Sequence, residues 1–522
     1  MGLSRERASA PDPDTLVQSL SRGVLRGLAH VAPRQHRTPE AHWAPWRKIL
    51  DAPALQYDPA NPGGRLLVGR LGGQLIGIDD PRHALILGGT RAGKSVTVTA
   101  NLYFWRGSAL VIDPKGELAS RTAAIRAAMG QKVYILDPFQ RVEGRAVRFR
   151  AAYNPLSVLL ADSPTLVQDA ERITDGLVQT TGQEKDPHWD ESAGAFITTL
   201  ILLVATAPAY TGPERSLITV RRLLTRAKLA APRDPERFGL LEELLDHADG
   251  LRAGGNEDLA EAIEAGARDF YDKSPNEMDS VLSTARRHTR LLGAPALREV
   301  LSGHDVDLST LKAAPEGVTI YMCLPAGAMV PFSRWLRVLL NQVLDMAETV
   351  PARPGAPPML VCLDEFPVLG RMKQLEHAIG QVAGFRLKLW VILQDWNQGV
   401  DLYGKRWESF AANAGLWQAF GLVDTTTCEV LSKKLGRTPV IVGRSSDVDS
   451  KGVEGGRTGL SHGPELHPLM SADEIERAFS RDDPARRQMV LWGGHRPMIL
   501  QRVEYFDEAS SVRPHFATRE GR

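Results

Sequence analysis

Two groups of side chains in this 522-residue sequence have the types and spacing for phosphate chemistry. The first is Gly88-Gly89-Thr90-Arg91-Ala92-Gly93-Lys94-Ser95, which fits G-x-x-x-x-G-K-[ST]. In such a loop the glycines let successive backbone N–H groups point at phosphates, and the helix that follows adds its positive dipole end. Lys94 is placed to reach the β- and γ-phosphates and the Ser95 hydroxyl to hold Mg²⁺. The second group is Asp364-Glu365, at the end of the apolar run Met359–Leu363. Two adjacent carboxylates at a buried strand end are costly unless a cation neutralises them. Asp364 is expected to order Mg²⁺ and its water, and Glu365 to polarise the attacking water. Together the two groups imply ATP hydrolysis rather than nucleotide binding alone.

These groups need one sheet edge to hold them. Ala84–Leu87 reads as a buried strand before the glycine loop, and Val96 to about Trp105 can continue as a helix. Ligands of open α/β sheets gather at the carboxyl ends of strands. From Gly64 to Pro155 strand and helix alternate. Strands are expected at Arg65–Gly69, Gln74–Ile78, Ala109–Ile112 and Lys132–Leu136, and a helix from Glu117 to about Met129 that Gly130 ends. The alternation argues a parallel sheet covered by helices. Helical periodicities then dominate from about Ser163 to Arg298, and strands return at Val318–Leu324, Met359–Leu363, Leu389–Leu393, Leu416–Gly421, Gln488–Trp492 and Met498–Arg502. Lys94 and Asp364 are 270 residues apart, so the helical block is an insertion emerging from the sheet. Gln394, at the end of Leu389–Leu393, is a candidate sensor of the γ-phosphate or its water. Asp113, Lys115 and Glu117 follow the end of another strand; they read as a turn with a helix cap, with a role near the nucleotide as the alternative. The expected organisation is a basic arm at 1–50, a nucleotide-binding domain at 51–162 and 299–515, an all-α insert at 163–298, and a flexible loop at 443–463, rich in Gly, Ser and Asp.

Composition narrows the rest. A net charge of +1 gives no global pull on nucleic acid or membranes, so such contacts must be local. The three cysteines are far apart, which fits core thiols rather than a disulfide frame or a zinc site. The longest apolar stretch, Ala195–Ala207, is shorter than the ~20 residues that span a bilayer and reads as a core helix. No integral membrane segment is expected, and the chain is expected in the cytoplasm. The first fifty residues hold eight Arg/Lys against four Asp/Glu. There Leu16, Leu20, Val24 and Leu28 form a helical stripe that suits packing on the protein or a partner subunit, or a membrane surface.

The motifs resemble those of the VirD4/TraG family of type IV secretion coupling proteins. The resemblance is carried by Thr90–Ser95, Ser108–Glu117, Leu136-Asp137-Pro138-Phe139, Tyr153-Asn154-Pro155-Leu156, Leu363-Asp364-Glu365-Phe366, Leu393-Gln394-Asp395 and Tyr403-Gly404, in order, between about Gly64 and Phe506. It implies an α/β fold: a RecA-like P-loop NTPase with a mostly parallel central sheet and an inserted all-α domain, working as a hexameric ring. It also implies that ATP hydrolysis recruits and moves DNA with its attached relaxase, or protein effectors, into a type IV secretion channel. By the match, Lys94 and Ser95 bind phosphate and Mg²⁺, Asp364 and Glu365 form the acidic pair, and Gln394 stands where the family has its strand-end glutamine. Ring ATPases use an arginine from the neighbouring subunit; Arg371 and Arg386 are the candidates, and Ala383-Gly384-Phe385-Arg386 fits the family's usual position. Typical members begin with transmembrane helices. None is found here: either this is a soluble member, which a start at Met1 with a basic arm favours, or the sequence lacks its anchor; docking on the inner face of the bacterial inner membrane through a membrane-anchored partner is the expectation for residues 1–50. Arg286, Arg287, His288 and Arg290, and Arg221, Arg222 and Arg226, are the basic clusters able to neutralise DNA phosphates. Two other readings predict different behaviour. A DNA-translocating ATPase outside secretion keeps the motor without a relaxase or channel partner, and a nucleotide-gated cargo adaptor turns over slowly.

Overall fold

The computed structural model describes residues 40–179, 187–227, 235–381, 383–447 and 458–520. The stripe Leu16–Leu28 lies outside the described residues. The apolar runs form β1 (Leu66–Leu71), β2 (Gln74–Ile78), β3 (His83–Gly88), β4 (Ala109–Asp113), β5 (Lys132–Leu136), β6 (Val318–Cys323), β7 (Met359–Leu363), β8 (Leu387–Leu393), β9 (Ala414–Phe420), β10 (Arg437–Asp447), β11 (Thr458–Pro468), β12 (Arg487–Trp492) and β13 (Met498–Gln501). Eleven of these make one sheet in the order β2-β1-β13-β12-β9-β3-β8-β7-β4-β6-β5. From β9 to β5 every neighbouring pair is parallel. Strands β3, β4, β7 and β8 are buried along their whole length, as continuous apolar strands must be in a sheet covered on both faces.

From β9 to β2 the pairing is antiparallel. This corrects the expectation that Arg65–Gly69 and Gln74–Ile78 belong to a parallel alternation. Two residues, Gly72 and Gly73, separate β1 from β2, and so short a link permits only a hairpin. A second correction concerns the expected flexible loop at 443–463. Its ends extend β10 and β11, which pair in register from Arg437↔Pro468 to Asp447↔Thr458; residues 448–457 lie outside the described residues. A ladder of backbone N–H and C=O groups forms without apolar side chains, so the polar composition did not reveal it.

Between β5 and β6 the described elements are helical, including Leu166–Leu177, His188–Thr206, Leu217–Arg226, Pro235–Ala253, Glu257–Tyr271, Pro275–His288 and Pro295–Ser302. His188–Thr206 is long and apolar enough to cross a membrane, yet 72% of its apolar window is buried inside the protein. These helices share a core with one face of the sheet: Leu85, Ile112 and Leu363 belong to the same cluster as Ile173, Leu200 and Val281. The long helix Ala326–Thr349, which follows β6, packs against Leu166–Leu177. A Cβ on Gly176 would stand 2.7 Å from the Val338 backbone, so this contact needs glycine. The opposite face of the sheet packs Ile86, Val98, Leu118, Cys362 and Ile392. All three cysteines are buried and free.

Candidate nucleotide-binding site

Parallel strands point their carboxyl ends the same way, so the segments after β3, β8, β7 and β4 meet on one rim. Residue Gly88 ends β3, and the helix Lys94–Leu102 starts at the end of the glycine loop. The loop turns through left-handed backbone at Arg91 (φ 59°) and Gly93 (φ 96°). Its amide at Gly89 donates to the Gly421 carbonyl at 3.1 Å. A Cβ on Gly89 would come within 2.3 Å of that oxygen, so the approach requires glycine.

The two motifs converge. Ser95 Oγ donates to Asp364 Oδ2 at 3.0 Å. Strand β8 lies between β3 and β7, and Gln394 at its end spans them: its Oε1 accepts from Thr90 Oγ1 at 3.1 Å and its Nε2 donates to Glu365 Oε1 at 3.4 Å. Glu365 itself has left-handed backbone, φ 71°, a conformation costly for a residue with a Cβ and concentrated at functional sites. Lys94 Nζ donates to the carbonyls of Gly88 (2.6 Å) and Gly89 (3.1 Å), curling over its own loop. Asp395 caps the next helix through the Gln398 amide at 3.0 Å.

The charges on this rim are poorly compensated. Burial pushes the Asp364 carboxyl up, against the Ser95 hydrogen bond and the Lys94 charge. Burial likewise lowers Lys94, against Asp364, Glu365 and Asp395. Asp113 ends β4 beside β7; burial pushes it up to about 6, opposed by the Ala119 and Lys115 amides and reinforced by Asp364. Buried carboxyls with raised pKa beside a desolvated lysine form a site that a cation–polyphosphate pair would neutralise. A serine hydroxyl and a carboxylate 3.0 Å apart suit Mg²⁺, a hard cation that takes few protein oxygens and keeps water and substrate phosphates for the rest.

Gly88, Gly89, Thr90, Arg91, Ala92, Gly93, Lys94, Ser95, Asp364, Glu365 and Gln394 therefore share one rim. Arg386 does not join them in its own chain. It precedes Leu387, the first residue of β8, and so lies eight residues of extended chain from Gln394, ~26 Å at about 3.3 Å per residue. Its backbone is left-handed, φ 58°, and its guanidinium donates to the Ala356 carbonyl. Arg371 pairs with Glu376 at 3.1 Å. Several of the basic candidates for DNA contact are engaged internally. Arg286 donates to the Leu224 carbonyl, Arg221 to the Arg286 carbonyl, Arg222 pairs with Glu214, and buried His288 bonds Asp190. The reading of the sequence missed the clamps on the glycine loop: Gly421 after β9, with φ 63°, and Arg502, whose Nη1 donates to the Ala92 carbonyl. A glycine closing an apolar strand was a signal for the first; nothing local marks the second.

Comparison with known proteins agrees with this geometry. Residues 35–520 match the family described as type IV secretory system conjugative DNA transfer. The chain is 27% identical to the conjugal transfer protein TraG of Escherichia coli over 372 residues, covering 69% of this chain and 56% of that one. It is 23% identical to VirD4 of Agrobacterium fabrum over 514 residues, covering 94% and 70%. It thus spans little more than half of the TraG relative's length. The structure resembles the plasmid coupling protein TrwB in complex with ADP and Mg²⁺, with a TM-score of 0.59 at 17% identity over 92% of this chain and 97% of that one. An unbound form of TrwB gives 0.60 at 16% identity, over 90% and 95%. The fold is that of a RecA-like P-loop NTPase, and the chain belongs to the type IV secretory system conjugative DNA transfer family.

Proposed function

We propose that this chain is an ATP-hydrolysing coupling protein that recruits DNA with its relaxase, or protein effectors, and drives them toward a type IV secretion channel as a homo-oligomeric, hexameric ring. The observation that carries this reading is the 3.0 Å contact of Ser95 with Asp364, with Gln394 joining Thr90 to Glu365. TrwB, with the same fold, is described in complex with ADP and Mg²⁺ and with a non-hydrolysable ATP analogue.

In this reading Lys94 leaves the Gly88 and Gly89 carbonyls for the β/γ-phosphate oxygens, and the loop amides hold the remaining charge. Ser95 and Asp364 would hold Mg²⁺, each through an oxygen. The metal, when bound, offsets the carboxylate and phosphate charge. Glu365 accepts a proton from the attacking water, and Gln394, bonded to Glu365, holds that water in line. An arginine of the adjacent subunit completes the charge balance; Arg386 and Arg371 are its candidates. Residues 1–50 are the proposed contact with a membrane-anchored partner.

The test is steady-state ATP turnover with and without single- and double-stranded DNA, alongside native mass measurement. Expected are a DNA-stimulated rate and an oligomer that forms with nucleotide and DNA. A full-length chain that binds ATP without turning it over, with or without DNA, refutes the motor.

A further inference from the structure

A second polar cleft, of about 510 Å³, lies away from the nucleotide site, between the turn Arg290–Gly293 and the first turns of the helix Ala326–Thr349. Its polar lining is three arginines, Arg287, Arg290 and Arg334, and Phe332 stands among them. No carboxylate lines it. The nearest acid that engages these groups, Asp190, accepts from both Arg287 and His288 through a single oxygen, each at 2.8 Å. Arg334 Nε is buried and has no hydrogen-bond partner. Burial, then the charges of Arg287 and Arg290, hold the Arg334 guanidinium below its usual range. Asp190 offsets part of this charge from beside Arg287, but Arg334 keeps an unmet donor and faces two like charges, which an entering anion would relieve.

The surroundings indicate which anion. Phe332 is half-buried, edge-on to Phe139 at 5.1 Å between ring centroids, and the neighbouring Val330 is 73% exposed. Guanidinium groups beside a partly exposed aromatic ring suit a single nucleic-acid strand, the cations taking phosphates and the ring's exposed part a base. The cleft is also mechanically placed. One helical turn beyond Arg334, Arg337 donates to the carbonyls of Leu369 (2.9 Å) and Arg371 (2.8 Å), in the segment that follows Glu365, and to that of Gly176 (3.2 Å) in the inserted block. The same helix therefore lines the cleft and holds the segment that follows the acidic pair.

The geometry points to the Arg287–Arg290–Arg334 cleft as a binding site for a backbone phosphate of single-stranded nucleic acid, with Phe332 against the adjacent base. This rests on the proposed function, in that it takes nucleic acid as cargo. It is tested by fluorescence anisotropy of a labelled oligothymidylate on the full chain across a salt series. The variants are Arg290→Glu, Arg334→Gln and Phe332→Ala, with Arg477→Glu as the control, since Arg477 is an exposed arginine on another element, paired with Asp473. Thermal melts confirm that each is folded. Expected is a tenfold or greater loss for Arg290→Glu and Arg334→Gln, a salt slope lower by about one, a smaller loss for Phe332→Ala, and little change for Arg477→Glu. A wild type that binds the strand while folded Arg290→Glu and Arg334→Gln bind equally well overturns the site and leaves the cargo reading standing. Equal losses in Arg477→Glu also overturn the site. A wild type that ignores the oligonucleotide overturns both.

Discussion

The two rims of the sheet treat buried carboxylates in opposite ways. On the rim away from the nucleotide loop, Asp80 is 4% exposed and fully used. Arg82 grips it through Nε (2.9 Å) and Nη2 (2.6 Å), and Trp492 Nε1 donates to it at 2.8 Å. Lys388, also buried, donates to the Asp80 carbonyl. His83 donates from Nε2 to the Ile379 carbonyl at 2.8 Å and accepts the Leu389 amide at Nδ1. Burial opposes the Asp80 charge, but the bonds from Arg82 and Trp492 win and hold its carboxyl below the usual range. On the nucleotide rim burial wins, and Asp113 and Asp364 are pushed up. One rim compensates its buried carboxylate within the fold, although burial lowers Lys388 and His83 there; the other leaves its carboxylates open for a ligand. That contrast separates structural from functional charge, and each rim can be broken alone.

The largest effect is expected on the open rim. Glu365→Gln keeps nucleotide binding but removes the proton acceptor, so turnover should fall by about 10²–10⁴-fold, the range of general-base catalysis. Lys94→Ala should weaken nucleotide binding as well. Neither should destabilise the ligand-free chain, because Lys94 now bonds only loop carbonyls. Turnover, nucleotide titration and a melting curve check all three statements. If Glu365→Gln leaves turnover intact, another group takes the proton.

Next in size is damage to the closed rim. Asp80→Ala removes the acceptor for Arg82 and Trp492 and leaves the indole N–H unpaired. Its cost should be about 2–3 kcal/mol in chemical denaturation, the scale of lost hydrogen bonds to a charged group. Nucleotide affinity under folding conditions should hold. A large loss of affinity without a loss of stability would show that the rims are not separate.

The rims should also respond to pH with opposite sign. The Asp113 pKa is raised from 3.8 to about 6, so the folded state holds this proton more tightly than the unfolded chain. Its contribution to stability is complete below the unfolded value and is lost as pH rises through about 6, at up to about 1.4 kcal/mol per pH unit. The depressed Asp80 contributes above its unfolded value and loses that contribution as pH falls through its lower folded value. Ligand-free denaturation between pH 4 and pH 6 should therefore show a stabilising proton that Asp113→Asn lacks. Parallel curves for the two chains would place that proton elsewhere.

What the sequence disclosed follows the same division between local and distant causes. The glycine loop, the acidic pair and Gln394 each sit where a strand ends, and a strand end is a local signal. Gly130, φ 92°, closes its helix as its position after Met129 foretold. The antiparallel edge was legible in Gly72-Gly73, had the link length been weighed against the alternation. The β10–β11 ribbon was not, since its ladder is made by the backbone. Nor was the bridging role of Gln394, which depends on β8 lying between β3 and β7, a matter of strand order. Arg386 is a candidate arginine for the neighbouring subunit; in its own chain the extended strand between it and Gln394 sets it on the other rim, so only an adjacent subunit's site is open to it.

The smallest expected effect probes the seam between the closed and open parts. Arg502 lies on the antiparallel side, just after β13, and is 6% exposed. It reaches across 410 residues of sequence to the Ala92 carbonyl in the glycine loop, and its guanidinium stands 5.5 Å from the Phe420 ring centroid. Holding Ala92 fixes the turn just before Gly93 and so the amides that face phosphate. Arg502→Ala frees that turn without touching a phosphate-binding group. Preorganisation is then lost but chemistry is not, so nucleotide affinity should fall by about three- to tenfold, 0.7–1.4 kcal/mol, with turnover at saturation nearly unchanged. Arg502→Lys keeps the charge but not the reach of the planar guanidinium, and should recover only part of the loss. If Arg502→Ala instead lowers saturated turnover as far as Glu365→Gln does, Arg502 acts on the reacting phosphate itself, and the antiparallel edge must be counted as part of the catalytic rim.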